Sequence, residues 1–179
     1  MRVITGTAGG RKLKSPNGDA VRPTTDHGKQ AVFNILQFDM EGRRVLDLFG
    51  GTGQMGIEAL SRGAREAVFV DSSRISVSLI LENLKLCGFR APVIQSDALN
   101  YLQRGEKFDI IFVDPPYDAG LYEPVLERIN AVDNLYEGGI IICETRAGER
   151  LPEMQAPYGM LRERSYGNVK ICIYTRNAV

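Results

Sequence analysis

The stretch VLDLFGGTGQMGIEALSRGA, residues 45–64, runs from branched apolar residues through a cluster of glycines into a helix-like repeat. Within it, Gly51-Thr52-Gly53-Gln54-Met55-Gly56 fits the pattern G-x-G-x-x-G. At a strand-to-helix turn such glycines permit a tight bend, let the backbone approach a ligand closely and leave N–H groups free at the helix start. The pattern predicts a nucleoside-binding α/β sheet whose first strand ends at this loop.

The chain on either side supports that reading. Strands are expected over Arg44–Leu48, Ala67–Asp71, Ala91–Gln95, Phe108–Val113 and Gly139–Glu144, with helices over Met55–Arg62, Ile75–Leu86, Ala98–Arg104 and Tyr122–Asn130. Strict strand-helix alternation predicts a doubly wound parallel sheet covered on both faces. Beyond Pro157, Met160–Ser165 and Val169–Thr175 flank Tyr166-Gly167-Asn168, a turn that reads as part of a closing antiparallel hairpin. Ahead of the sheet, residues 1–25 show short segments broken by Gly and Pro and are expected to form a small hairpin-like extension to a domain spanning residues 26–179. A helix is expected from Asp26, capped by Thr25 or Asp26, with Ala31, Phe33, Ile35, Leu36 and Phe38 on its apolar face.

Composition narrows the chemistry. The 179 residues are 44% hydrophobic and 25% charged, enough for one well-cored domain. No apolar run is long enough to cross a membrane and no signal-peptide pattern opens the chain, so a cytoplasmic protein without membrane partners is expected. Cys87, Cys143 and Cys172 stand far apart in apolar surroundings and read as core thiols. His27 is the single histidine, which removes a serine-type triad and a histidine-rich metal site from consideration. Formal charge is zero, yet residues 1–30 hold six cations against two acids, and the segment from Arg162 onward holds four against one. Two basic ends are a plausible footprint for a phosphate backbone, and equally for an ordinary solvated surface.

Three acids choose among nucleosides. Asp71 closes the second strand twenty positions after Gly51, where a carboxylate accepts ribose hydroxyls. Asp47, just ahead of the glycines, would repel a pyrophosphate but attract the ammonium group of S-adenosylmethionine (SAM). Asp97, in QSDAL, can accept the adenine amino group while the neighbouring Ala98 N–H reads the ring; it can equally cap the helix that follows. Together with Gly51 and Gly53 these residues favour SAM over a dinucleotide.

The fourth strand ends in Asp114-Pro115-Pro116-Tyr117. In a doubly wound sheet this corner opens on the crevice at the carboxyl ends of the strands, where ligands bind. Prolines stiffen the backbone and leave carbonyl oxygens without local partners. An exocyclic amine on a nucleobase is a poor nucleophile because its lone pair is delocalised. Asp114 and the Pro115 carbonyl, each accepting one N–H, would orient such an amine and favour positive charge on nitrogen as a methyl arrives. Tyr117 offers a flat face to a base drawn from its stack. A plain proline-rich turn is the simpler alternative, which the SAM-type loop disfavours. No metal is called for.

The segments RPTTDHGKQAVFNIL (22–36), LDLFGGTGQMGIEALSRGA (46–64), DPPY (114–117) and YGNVKICIY (166–174) together resemble the RsmD family, bacterial methyltransferases of a guanine N2 amine in 16S ribosomal RNA. The resemblance implies a seven-stranded, Rossmann-like class I SAM-dependent methyltransferase sheet with its last strand antiparallel. It implies 16S rRNA in an assembling small ribosomal subunit as partner, and Arg11, Lys12, Arg22, Thr24, Pro116 and Tyr117 near the RNA. The family usually has D-R-V-R-E-A where this chain has Asp26-His27-Gly28-Lys29-Gln30-Ala31, losing two arginines and gaining a glycine. Alternatives are an amino methyltransferase for DNA adenine or protein glutamine, a non-catalytic SAM-fold RNA-binding module, and a nicotinamide-dependent oxidoreductase.

Overall fold

The structure, a computed structural model, describes residues 1–16, 23–36, 40–116 and 119–177, without the side chains of residues 23–27. Its elements in chain order are α1 (Pro23–Ile35), β1 (Arg44–Asp47), α2 (Gln54–Ser61), β2 (Glu66–Asp71), α3 (Arg74–Cys87), β3 (Val93–Gln95), α4 (Ala98–Leu102), β4 (Phe108–Val113), α5 (Tyr122–Val132), β5 (Leu135–Arg146), β6 (Tyr158–Tyr166) and β7 (Val169–Arg176). The strands form one seven-stranded sheet in the order β3-β2-β1-β4-β5-β7-β6. Pairs from β3 through β5 are parallel; β7 runs antiparallel to both β5 and β6. The order reverses between β1 and β4, which opens a crevice at their carboxyl ends.

Alternation along the strands decides the layers. Val45, Phe69, Ile110, Phe112 and Ile142 pack with Val32, Phe33, Ile57 and Ile80 on the side of α1, α2 and α3. Leu46, Val68, Ile111, Val113, Ile141 and Cys143 pack with Tyr101, Val125 and Ile129 on the side of α4 and α5. A sheet buried on both faces needs apolar residues at consecutive positions, which is why Phe108–Val113 reads as an almost unbroken apolar run. Phe33 of α1 meets Phe112 of β4 with ring centroids 5.8 Å apart. The three cysteines are buried and unpaired, as expected of core thiols.

The amino-terminal loop is closed by an antiparallel bridge between Arg2 and Lys12, and Val3 N–H donates to the Arg11 carbonyl at 2.9 Å. It docks on α2 through the buried Glu58. That carboxylate accepts from the N–H of Ile4 at 2.7 Å and of Thr5 at 3.0 Å, with Arg62 Nε at 2.8 Å and Lys29 Nζ at 3.8 Å. Val3, Ala8 and Leu13 join the same core as α1.

Helix α1 begins at Pro23, three residues before its expected start, so Thr25 and Asp26 lie inside its first turn. Proline fits the first helical position because its missing N–H would have no partner there. Val32 is buried beside Ala31, Phe33 and Leu36, while Phe38 lies outside the described residues. Strand β5 starts at Leu135, earlier than expected, because Leu135 pairs with Phe108 across a register shift before Ile140.

Candidate active site

The loop after β1 is held by short contacts: Gly53 N–H to Gly50 O at 2.6 Å and Gly50 N–H to Val70 O at 2.9 Å. Gly53, at φ 78°, precedes α2 in the left-handed conformation with no side-chain cap, so the helix start faces the crevice through its backbone. Gly56 serves packing instead. A β-carbon there would stand 2.3 Å from the Phe69 ring, so α2 lies close on β2 only with glycine at this position.

Alternation also aligns the acids. Asp71, Asp47, Asp114 and Glu144 stand at the carboxyl ends of the adjacent strands β2, β1, β4 and β5. All four follow the parity of the residues facing α1 and α2: Phe69, Val45, Phe112 and Ile142. Asp47, 4% exposed, accepts from Gly56 N–H at 2.9 Å. Burial, reinforced by Asp114 and Asp71 and opposed by the Gly56 bond, pushes its carboxyl up to about 7. Burial and then Asp114 push Glu144 up to about 8. Asp114 is pushed up to about 6 by desolvation among the surrounding walls. Its accessible surface is nevertheless that of an exposed residue, so the carboxylate keeps contact with solvent. Such a row favours a ligand carrying positive charge, and the ammonium and sulfonium of SAM meet that demand where a pyrophosphate does not.

Asp71 Oδ2 accepts from Gly51 N–H at 2.9 Å and Oδ1 from Ser73 N–H at 2.8 Å, which fixes the carboxylate at the loop. Asp97 is exposed and caps α4 by accepting from Asn100 N–H at 3.1 Å; Ala98, next to it, is buried. Asp47, Gly51, Gly53 and Asp71 therefore surround one loop, with Asp97 and Ala98 at the end of β3 beside it. The residues fit S-adenosylmethionine.

A small cavity beside the crevice is lined by Val32, Gln54, Met55, Phe112, Asp114 and Glu144 among others. Gln54 Oε1 is buried there without a hydrogen-bond partner. Neither Gln54 nor Glu144 was expected at the site. The signal for Glu144 was present: like Asp71 and Asp114, it is an acid following a run of apolar strand residues. Pro115 is buried and Pro116 exposed. Contrary to the expectation of unpartnered carbonyls, Ala119 N–H donates to Pro116 O at 3.3 Å and closes a turn.

The remaining expected RNA contacts divide. Arg11 and Lys12 are exposed on the amino-terminal loop, and Arg11 Nη1 donates to Leu86 O at 2.7 Å. Arg22 and Tyr117 lie outside the described residues, as does the side chain of Thr24. Lys29 is 1% exposed, donates to Arg2 O at 2.6 Å and lies near Glu58, so it braces the amino-terminal loop from within.

Fold and site define a methyltransferase of the doubly wound class. A family model described as "Conserved hypothetical protein 95" matches residues 1–175. The chain belongs to this family, the RsmD family. It is 38% identical to "Putative rRNA methyltransferase YlbH" of Bacillus subtilis, over 98% of this chain and 99% of that one. It is 34% identical to "Ribosomal RNA small subunit methyltransferase D" of Escherichia coli, over 99% of this chain and 91% of that one. The solved structure "Putative methyltransferase yhhF from Escherichia coli" superposes with a TM-score of 0.87 at 35% identity, covering 100% of this chain and 99% of the other.

Proposed function

We propose that the chain transfers a methyl group from SAM to the exocyclic N2 amine of a guanine in 16S rRNA of the small ribosomal subunit. The supporting observation is the polarity of the cavity: Asp114, Glu144 and the unpartnered Gln54 Oε1 set hydrogen-bond acceptors around one space. Guanine presents N–H donors side by side at N1 and N2, which suits neighbouring carboxyl oxygens, whereas adenine presents a single amine there. The names of the two relatives, both rRNA methyltransferases, support an RNA acceptor.

Bound SAM supplies an electrophilic methyl on a sulfonium. Asp114 and the Pro115 carbonyl accept the two N2 hydrogens and turn the nitrogen lone pair toward that carbon. Asp114 would stabilise the positive charge that appears on the amine nitrogen as it takes the methyl group and the donor sulfur becomes neutral. The methylated amine then gives its proton to Asp114 and on to water, since that carboxylate is exposed. Glu144, protonated below about pH 8, accepts from N1–H through its carbonyl oxygen and orders the base edge. Asp47 and Asp71 hold the ammonium and ribose ends of SAM.

The test offers unmodified small subunits, free 16S RNA and DNA to the enzyme with methyl-labelled SAM and maps the product. Label on guanine N2 is expected. Label on adenine, or on protein only, overturns the acceptor assignment.

A further inference from the structure

A second concavity, of about 640 Å³, lies between α1 and the turn joining β6 to β7. Gly28, Gln30 and Asn34 form its helix wall, and Tyr166 and Asn168 lie opposite. Gly28, in the wall of this groove, packs close to Glu144, which lines the small cavity beside the crevice. The groove and the proposed methyl-transfer site thus lie on either side of that contact.

Beside the groove runs β6, the edge strand of the sheet. Its pairing with β7 sets Arg162 opposite Ile173, Arg164 opposite Ile171 and Tyr166 opposite Val169. Those three partners face the α1 layer, so Arg162, Arg164 and Tyr166 project on that same side. All three are exposed. Among the described residues no carboxylate pairs with Arg162 or Arg164, while Glu163, on the other face, lies 3.4 Å from Lys170 Nζ. The amino-terminal loop, with Arg11 and Lys12 exposed on it, packs on the same side of the sheet, whereas Lys170 and Arg176 follow Cys172 and Tyr174 to the other and pair with Glu163 and Asp133.

We propose that this face of β6 and the adjoining groove bind a single-stranded RNA segment flanking the methylated nucleotide. The proposal rests on the RNA acceptor proposed above. Arginines two residues apart on a strand stand roughly 7 Å from each other, a reach suited to neighbouring phosphates on an extended strand. Tyr166 offers a ring on which a base stacks, and the amides of Gln30, Asn34 and Asn168 meet base edges. Protecting an open sheet edge from aggregation also favours charge. That role does not require an aromatic ring and three amides around a groove next to Glu144.

The test compares the wild type with the double variant Arg162→Ala/Arg164→Ala, with Tyr166→Ala and Tyr166→Phe, and with a control, Arg104→Ala/Arg128→Ala, that removes the same charge from the α4–α5 face. Binding of a single-stranded oligoribonucleotide from 16S RNA is measured across salt concentrations, beside SAM affinity and kcat at saturating RNA. The β6 double variant should bind RNA at least about tenfold more weakly, with a salt slope shallower by roughly 1.4 for two lost phosphate contacts. Tyr166→Ala should weaken binding roughly tenfold, with Tyr166→Phe restoring it. SAM affinity and kcat at saturation should hold. A double variant that binds RNA like the control pair overturns the proposal, as does a wild type without affinity for single-stranded RNA. Label on guanine N2 with β6 variants unaffected sinks this surface alone. RNA affinity that depends on β6, with label on another atom, sinks the guanine assignment alone.

Discussion

A β-carbon at Gly28 would stand 2.6 Å from Oε2 of Glu144, so α1 reaches the end of β5 over a residue without a side chain. The Glu144 carboxylate is the far end of a flexible side chain and can move aside, so the fold tolerates a methyl group there while the site does not.

Gly28→Ala is therefore expected to separate stability from activity. Alanine favours a helix interior by about 1 kcal/mol, and the melting temperature should hold or rise. Displacing Glu144 should lower methyl transfer to RNA by about tenfold, on the order of one ordered hydrogen bond, with SAM affinity unchanged. Full activity would show that the position of Glu144 is not used.

Asp114→Ala should keep SAM binding and lose transfer by at least about a hundredfold, the scale of removing one preorganised group that stabilises developing charge. Asp114 follows β4 and lines the small cavity with Glu144, whereas Asp47 accepts from Gly56 N–H at the start of α2. Parallel measurement of SAM affinity and single-turnover rate checks the division. Joint loss of both would assign Asp114 to the fold.

The pH dependence follows from Asp47 and Glu144, pushed up to about 7 and about 8. Their folded pKa values lie above unfolded ones of about 4. Between those limits the folded chain binds more protons than the unfolded one. Stability is thus greatest at the acid end of this window and declines as pH rises from about 5 to 8, by on the order of a few kcal/mol. A cationic ligand favours the ionised carboxylates and expels those protons. Melting curves should show the ligand-free protein weakening from pH 5 to 8 and SAM raising the melting temperature more at pH 8 than at pH 6. A ligand-free melting temperature that climbs through this window would contradict the row of acids.

Glu58→Ala should destabilise by about 3–5 kcal/mol, the scale of removing one partner of a buried ion pair. Lys29 would remain buried beside the vacated position, and the N–H groups of Ile4 and Thr5 would lose their acceptor. Amide exchange should accelerate first at residues 3–10, before the sheet opens. Uniform acceleration would show that the amino-terminal loop is not separately anchored.

Most of the architecture could be read directly from local patterns. Apolar runs of strand length mark β1, β2 and β4, because a sheet covered on both faces needs apolar side chains at consecutive positions. The glycines at 51, 53 and 56 mark the cofactor loop, because each meets a steric or conformational demand of one turn. The unusual Asp114-Pro115-Pro116 corner was visible for the same reason. Lys29 was not legible: a lysine in a basic segment reads as exposed until Arg2 and Glu58, distant in sequence, are brought against it.

The sequence by itself determined the strand-helix order, the glycine loop and the acid-proline corner, since each is written in neighbouring residues through sterics and periodicity. Only the tertiary structure decided that Glu144 stands beside Asp114, that Gly28 makes room for it, and that Arg162 and Arg164 share a face with α1. Those relations depend on strand order and register, which bring together residues about thirty to more than a hundred positions apart. Local pattern is blind to them because a side chain's neighbours across a sheet are set by which strands pair, and pairing is a property of the whole core.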